Sequence, residues 1–388
     1  MSEEKLVPKL RFSGFDDEWI EEKLGNLVQI KSGECTKNLI TGIDNSIPYF
    51  KVEQLNNSLK YQIKTPYFIN DKSKIVNKGS IIFPKRGAAI LLNKIRILNQ
   101  DSFMDTNLMT LTPNNKLYNE FLYYFIYKEN LSKIADTTSI PQLNNKHIKP
   151  YPIKLPSFEE QLKISKFISS VDKKVALLSQ NLEIFNDFKK GLLQQIFTQK
   201  LRFNFDDEWK QYKLKDVLTV KSSSISINQL EENTGDYPLY GASGFLKNID
   251  FCEMDVDYIS IVKDGSGVGN LSFHEKNSSI VNTSQYLLPK KNFNINFLYY
   301  LLQTINLMKY VNGSSIPHIY FKDYCIEKIN IPSLDEQEKI GKLFVDVDIT
   351  MENLNKNINA TQEFKKGLLQ QMFVVQLILS LLQNKKHI

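Results

Sequence analysis

At 388 residues, with 42% hydrophobic and 24% charged side chains, the chain has the make-up of a globular protein of two or three domains. That excludes a disordered or fibrous polymer. A net charge of +6 permits binding to a polyanion without demanding it, while three unpaired-looking cysteines (Cys35, Cys252, Cys325) and four scattered histidines exclude a disulfide framework or a metal cluster as the organising principle.

The start, "MSEEKLVPKLRF", lacks the basic residues and apolar run of an export signal, so the expected setting is cytoplasmic. Next come short β-prone runs broken by Gly, Pro, Asn and Asp: "NLVQIKSGECTKN", "IPYFKVEQLNN", "GSIIFPKRGAAILL" and "FMDTNLMTLTP". Lys85 and Arg86 precede Gly87 there. Cationic side chains on loops that glycine allows to bend tightly are suited to approach phosphates and base edges, as are small polar residues such as Thr106 and Asn107. An ordinary solvated turn is the simpler alternative. One aromatic helix, "NEFLYYFIYKE", closes this α+β segment.

From Pro156 the texture changes. Apolar residues at Ile164, Ile168, Val171, Val175, Leu178, Leu182 and Phe185 are spaced alternately four and three apart, a heptad seam that continues through Leu192 and Ile196. Ser157 at the N-cap with Glu160 three later predicts a capping box, and Ser333 with Glu336 predicts another. The acids of "DEQEK" are thus explained as first-turn residues rather than metal ligands.

Everything so far is then repeated. "FKKGLLQQ" at Phe188 returns at Phe364, "FLYYFI" at Phe121 as "FLYYLL" at Phe297, and "SIPQ" at Ser139 as "SIPH" at Ser315, all offset by 176 residues. "LRFSGFDDEW" at Leu10 is echoed by "LRFNFDDEW" at Leu201. The helices match at about twenty of 44 positions from Leu155 to Thr198, whereas the strand-rich interiors hardly match. One scaffold is built twice around two different modules. The second module has Lys263 beside its glycine loop, with Asn282 and Gln285 in the segment corresponding to "MDTN". Its "DGSGVGN" fails as a dinucleotide loop, because Asn270 stands where the third glycine belongs and strand follows instead of helix; a hairpin loop is expected. The second seam weakens at Thr361 and Lys365. Two such helices related by rotation are expected to lie antiparallel, and Gly191 and Gly367 suggest close backbone approach between them, or shared ancestry alone. The tail after Phe373 has no counterpart and is too short an apolar run to span a bilayer.

Two divergent domains, each preceded by "LRF…W…KL" and followed by a "P-S-x-x-E-Q" helix ending "FKKGLLQQ", closely resemble the specificity subunit of type I restriction-modification systems, over residues 8 to 373. The resemblance implies an α+β tandem duplication: two target-recognition domains separated by a pair of long helices forming an antiparallel coiled coil. The expected division is 1–155 and 200–331 for the domains, 156–199 and 332–373 for the helices, with 374–388 unassigned. It also implies that each domain reads half of a bipartite double-stranded DNA target, through Lys85, Arg86, Thr106, Asn107, Lys263, Asn282 and Gln285 as candidate contacts. The helices are then expected to set the spacing and to bind two methyltransferase subunits, with a motor-nuclease subunit joining them. S-adenosylmethionine and ATP belong to those partners. No methylation motif or phosphate-binding loop is found in this chain, so no enzyme activity and no cofactor of its own are expected. The rival reading is a coiled-coil adaptor that presents two protein-binding domains.

Overall fold

The computed structural model describes residues 4–36, 39–41, 46–70, 75–136, 140–230, 233–313 and 315–379; Ser139 and the tail from residue 380 lie outside them. The chain forms two compact units, residues 1–177 with 358–388, and residues 178–357. Both unit boundaries fall inside long helices. Among the described residues no helix is long and apolar enough to cross a membrane.

The first unit is built on a five-stranded sheet of β1 (Val28–Ser32), β2 (Tyr61–Gln62), β3 (Ile81–Pro84), β4 (Arg96–Leu98) and β5 (Leu108–Pro113), in the order β1-β5-β3-β4-β2. The period of two along a strand sends alternate residues to opposite faces. Ile81, Phe83, Met109 and Leu111 face the main core, where they meet the aromatic helix α1 (Asn119–Glu129) through Phe121, Leu122 and Phe125. Ile82 and Leu108 face the other way, into a smaller cluster with Phe50, Leu98 and Met104. Because both faces are covered, these strands read as continuous apolar runs. The second unit repeats the plan with β6 (Leu218–Ser222), β7 (Tyr258–Val262), β8 (Leu271–His274) and β9 (Ser284–Pro289) in the order β6-β9-β7-β8. Ile259, Ile261 and Leu287 pack with Phe297 and Leu301 of α3 (Ile295–Gln303), and Tyr258 and Tyr286 fill the opposite face. The "DGSGVGN" stretch is the loop between antiparallel β7 and β8, as expected of a hairpin.

The two long helices are α2 (Phe158–Phe197) and α4 (Leu334–Phe373), each of 40 residues and about 60 Å long at 1.5 Å per residue. In the first unit the start of α2, through Ile164, Ile168 and Val171, packs with the end of α4 through Leu368, Leu369, Met372 and Phe373. In the second the end of α2, through Ile196, packs with Ile340 and Phe344 at the start of α4. Start against end is the antiparallel arrangement that the repeated seam predicts. The polar interruption at Lys365 is not a weakness: its ammonium lies 2.6 Å from Asp172, whose other oxygen accepts the Tyr124 hydroxyl at 2.6 Å. Lys189, Asp348 and Tyr300 form the same triad in the second unit, at 2.6 and 2.7 Å.

Two expectations about these helices need correction. Glycine at 191 and 367 does not mark a close approach, since a Cβ built at either position meets nothing within 4 Å. The capping box is only half made at the first helix. The Glu160 N–H donates to Ser157 Oγ at 3.3 Å, but the Glu160 carboxylate does not turn back to the serine. It accepts both Nε and Nη2 of Arg11, each at 2.8 Å, and Glu336 accepts the same pair from Arg202 at 3.1 and 2.7 Å. A guanidinium offers two charge-assisted bonds in a matching plane, which outweighs one backbone N–H. The glutamine that follows has its own task. Gln161 accepts the Tyr118 N–H at the start of α1 and donates to the Lys116 and Pro156 carbonyls, while Gln337 accepts the Asn294 N–H and donates to Pro332. The repeated Glu-Gln pair therefore ties the long helix to the "LRF" segment on one side and to the aromatic helix on the other.

The tail is partly placed: Val375–Leu379 pairs antiparallel with Glu4–Pro8, Leu379 facing Glu4. Ahead of it the Leu10 N–H donates to the Gln371 carbonyl at 3.0 Å, as the Leu201 N–H does to Gln195 at 3.1 Å.

Candidate nucleic-acid interface

Three segments of the first unit converge at one end of β3. The Lys85 N–H donates to the Asn107 carbonyl at 2.8 Å, the Lys85 carbonyl accepts the Leu143 N–H at 2.9 Å, and the Gly87 N–H donates to Pro141 at 2.9 Å. Gly87 has φ +79°, a left-handed conformation that a side chain would strain. The sequence candidates Lys85, Arg86, Thr106 and Asn107 are thus brought together, with Arg86, Thr106 and Asn107 exposed. Asp105 holds the turn by accepting the Asn107 N–H at 2.8 Å. Burial lowers the Lys85 pKa, and the Arg86 charge beside it lowers it further. Lys85 therefore stands where an arriving anion relieves an unfavourable positive charge. Among the described residues the Arg86 side chain has no hydrogen bond or ion pair.

The second unit assembles the same frame from different residues. The Lys263 N–H donates to Thr283 at 2.9 Å, the Ile319 N–H to Lys263 at 2.9 Å, and the Gly265 N–H to Pro317 at 2.9 Å, with Gly265 at φ +91°. Asn282 is exposed beside Lys263, its N–H bonded to Ile225 at 2.8 Å. Gln285 is not brought to the loops. It lies in β9 opposite Ser222, to whose Oγ its Nε2 donates at 3.2 Å, and its Oε1 is buried without a partner.

Sequence reasoning missed the third segment. Gln142 and His318 belong to this cluster in the two units, and the signal was the repeated "SIPQ" and "SIPH", which looked like scaffold. The arrangement offers loop side chains and glycine-opened backbone, groups suited to approach phosphates and base edges.

A family model for the type I restriction modification DNA specificity domain matches residues 16–184 and again 206–362. A type I restriction enzyme specificity subunit of Methanocaldococcus jannaschii is 22% identical, the alignment covering 91% of either chain. The crystal structure of a type I restriction-modification S subunit from M. genitalium superposes with a TM-score of 0.67 at 20% identity, covering 95% of this chain and 99% of that one. A chain from a structural study of complex assembly in the type I system gives 0.55 at 15% identity, covering 93% and 99%.

Proposed function

The chain belongs to the type I restriction-modification DNA specificity family, a non-catalytic subunit with two target-recognition domains in a complex that binds DNA, and from that premise we propose how its parts divide the work. Each unit's loop cluster meets one half of a bipartite duplex target. Lys85, Arg86 and Lys263 supply the cationic contacts, with Thr106, Asn107 and Asn282 as polar neighbours. Gln285, already bonded within the sheet, is the weakest of the candidates.

The observation that carries this reading is the shared frame: the same three backbone bonds present unlike side chains in the two units. A common frame with exchanged side chains is what two readers of different sequences need. The long helices set the gap between the half-targets and take up the methyltransferase subunits, two copies being expected from the twofold repetition of the scaffold. The motor-nuclease subunit joins through that core. S-adenosylmethionine and ATP chemistry resides in the partners.

Binding of the full chain, alone and with its methyltransferase partner, to duplex DNA over a range of salt tests the proposal. The double variant Lys85→Ala, Arg86→Ala is expected to weaken binding and to lower the salt slope by about one unit for each phosphate no longer neutralised. Unchanged affinity and slope remove this loop from the interface. Absence of any duplex binding by chain and complex favours the adaptor reading.

A further inference from the structure

Within each loop cluster two residues from different segments face each other in an antiparallel bridge: Arg86 with Gln142 in the first unit, Asp264 with His318 in the second. Facing residues in such a bridge carry their side chains on the same side, with Cβ atoms about 4.5–5.5 Å apart. The second strand of each bridge also pairs on its far side, Gln142 with Asp136 and His318 with Asn312. The pairs are therefore held by backbone, whatever their side chains are.

The frame around the bridges is the same in both units. Gly87 and Gly265 follow the first member, Pro141 and Pro317 precede the second, and Ile140 and Ile316 before those prolines are 61% and 68% exposed. Within that shared backbone the bridge residues reverse their charge, from a cation with an amide to a carboxylate with an imidazole. Their side chains make few contacts of their own. Among the described residues the Arg86 and Gln142 side chains have no bonded partner, Asp264 approaches only Lys263 at 3.9 Å, and His318 has Nδ1 3.3 Å from the Ile316 carbonyl of its own loop and its ring 5.0 Å from that of the exposed Tyr320. Positions constant between the units perform what both must do; positions that differ while the frame stays fixed are free to discriminate.

Resting on the reading that these loops meet DNA, we propose that the facing pairs Arg86–Gln142 and Asp264–His318 are the specificity-determining residues of the two half-targets. The donor and acceptor patterns set the expected bases. Arg86 donates to guanine O6 and N7, and Gln142 pairs with adenine N6 and N7 at a neighbouring position. Asp264 accepts from an amino group, cytosine N4 being the usual partner of a carboxylate, and His318 bonds beside it. Ile140 and Ile316 lie against sugar or thymine methyl in either half.

The test is selection from a randomised duplex pool by the full chain with a methyltransferase subunit, for wild type and single variants. Gln142→Ala is expected to relax preference at one base pair of one half by about tenfold or more, the other half being unaltered; His318→Ala is expected to do the same in the other half. Gln142→Glu keeps the side-chain size but loses the amide donors, so its preferred base shifts towards cytosine rather than vanishing. Thermal midpoints within a few degrees of wild type establish that each variant is folded. If Gln142→Glu and His318→Ala select the wild-type sequence while Lys85→Ala with Lys263→Ala weakens binding, the loops meet DNA but these pairs do not read it, and the proposal is overturned. If the lysine variants also bind unchanged, it is the placement of DNA at these loops that fails.

Discussion

Glu160 and Glu336 are carboxylates with 1% and 0% of the side chain exposed, each paired with one arginine. Removing one member of a buried pair leaves the other desolvated and alone, at a cost of about 3–5 kcal/mol. Arg11→Ala is accordingly expected to lower the stability of the first unit by about that much in chemical denaturation, and Glu160→Gln by less, because the Arg11 guanidinium it strands is the more exposed partner and keeps its bond to the Asp17 carbonyl. His274 makes a different forecast. Its ring stacks on Tyr240 and Tyr258, bonds Ser260 at 2.9 Å, and is pushed by burial from 6.5 down to about 4. Between those values the unfolded chain binds the proton and the folded one does not, so stability is whole above about pH 6.5 and declines as pH falls towards 4. The loss amounts to about 3 kcal/mol in all. Urea midpoints from pH 7 to 4 should show that slope, and His274→Gln should flatten it; an unchanged slope in the variant would place the titration elsewhere. At this scale the sequence was partly legible. Ser157 announced the helix start correctly, but nothing local said that Glu160 answers Arg11, because a pairing across 149 residues leaves no trace in spacing.

Along the helices, the seam was readable from period alone, and so was its direction once the repeat was seen. The polar seam positions were not, since a lysine at a core position looks like a fault until its partner is located. Asp172 and Lys365 are 24% and 15% exposed at the side chain, and they are tied to Tyr124 as well. A double-mutant cycle of Asp172→Asn and Lys365→Met is expected to return a coupling of about 1–3 kcal/mol, within the range for residues in one network. Additive losses would mean that the pair does not fix helix register. Gly191 and Gly367 supply the opposite sign. With open space around the missing Cβ, alanine meets no clash and removes a helix-weakening residue, so each substitution is expected to stabilise the free chain by about 0.5–1 kcal/mol. Destabilisation in thermal melts would show that the surface there is already occupied. The sheets were legible as strands and not as order: β1 pairs with β5 across most of the domain, and such pairing is settled by tertiary burial.

For the molecule as a whole, the duplication marks what is exchangeable. Replacing the first interior with that of another family member is expected to alter one half of the target and preserve the other, read as the methylated motif of the assembled system. The exchange must extend to about residue 148, because the Leu143 N–H is bonded to Lys85 and a junction before it splits the loop cluster. Altering both halves together would show that the units do not read independently. A seven-residue insertion near Leu178 and Leu354 together keeps the seam in phase and adds about 10 Å of helix, moving the gap by at most about three base pairs. An unaltered gap with full activity refutes the spacer role.

The hydrogen bond from Leu10 to Gln371 has a counterpart that is covalently continuous: Leu201 meets Gln195 six residues after leaving it. The segments before Leu10 and after Gln371 thus stand where the second unit has an uninterrupted stretch of polypeptide, and Leu379 lies across from Glu4 as hairpin neighbours do. A circular permutant that joins Leu379 to Glu4 through a short turn and begins instead at Lys200 should fold and select the same bases, with the order of its domains along the gene reversed. Loss of selectivity in a folded permutant would show that the two junctions, alike in geometry, are not alike in use.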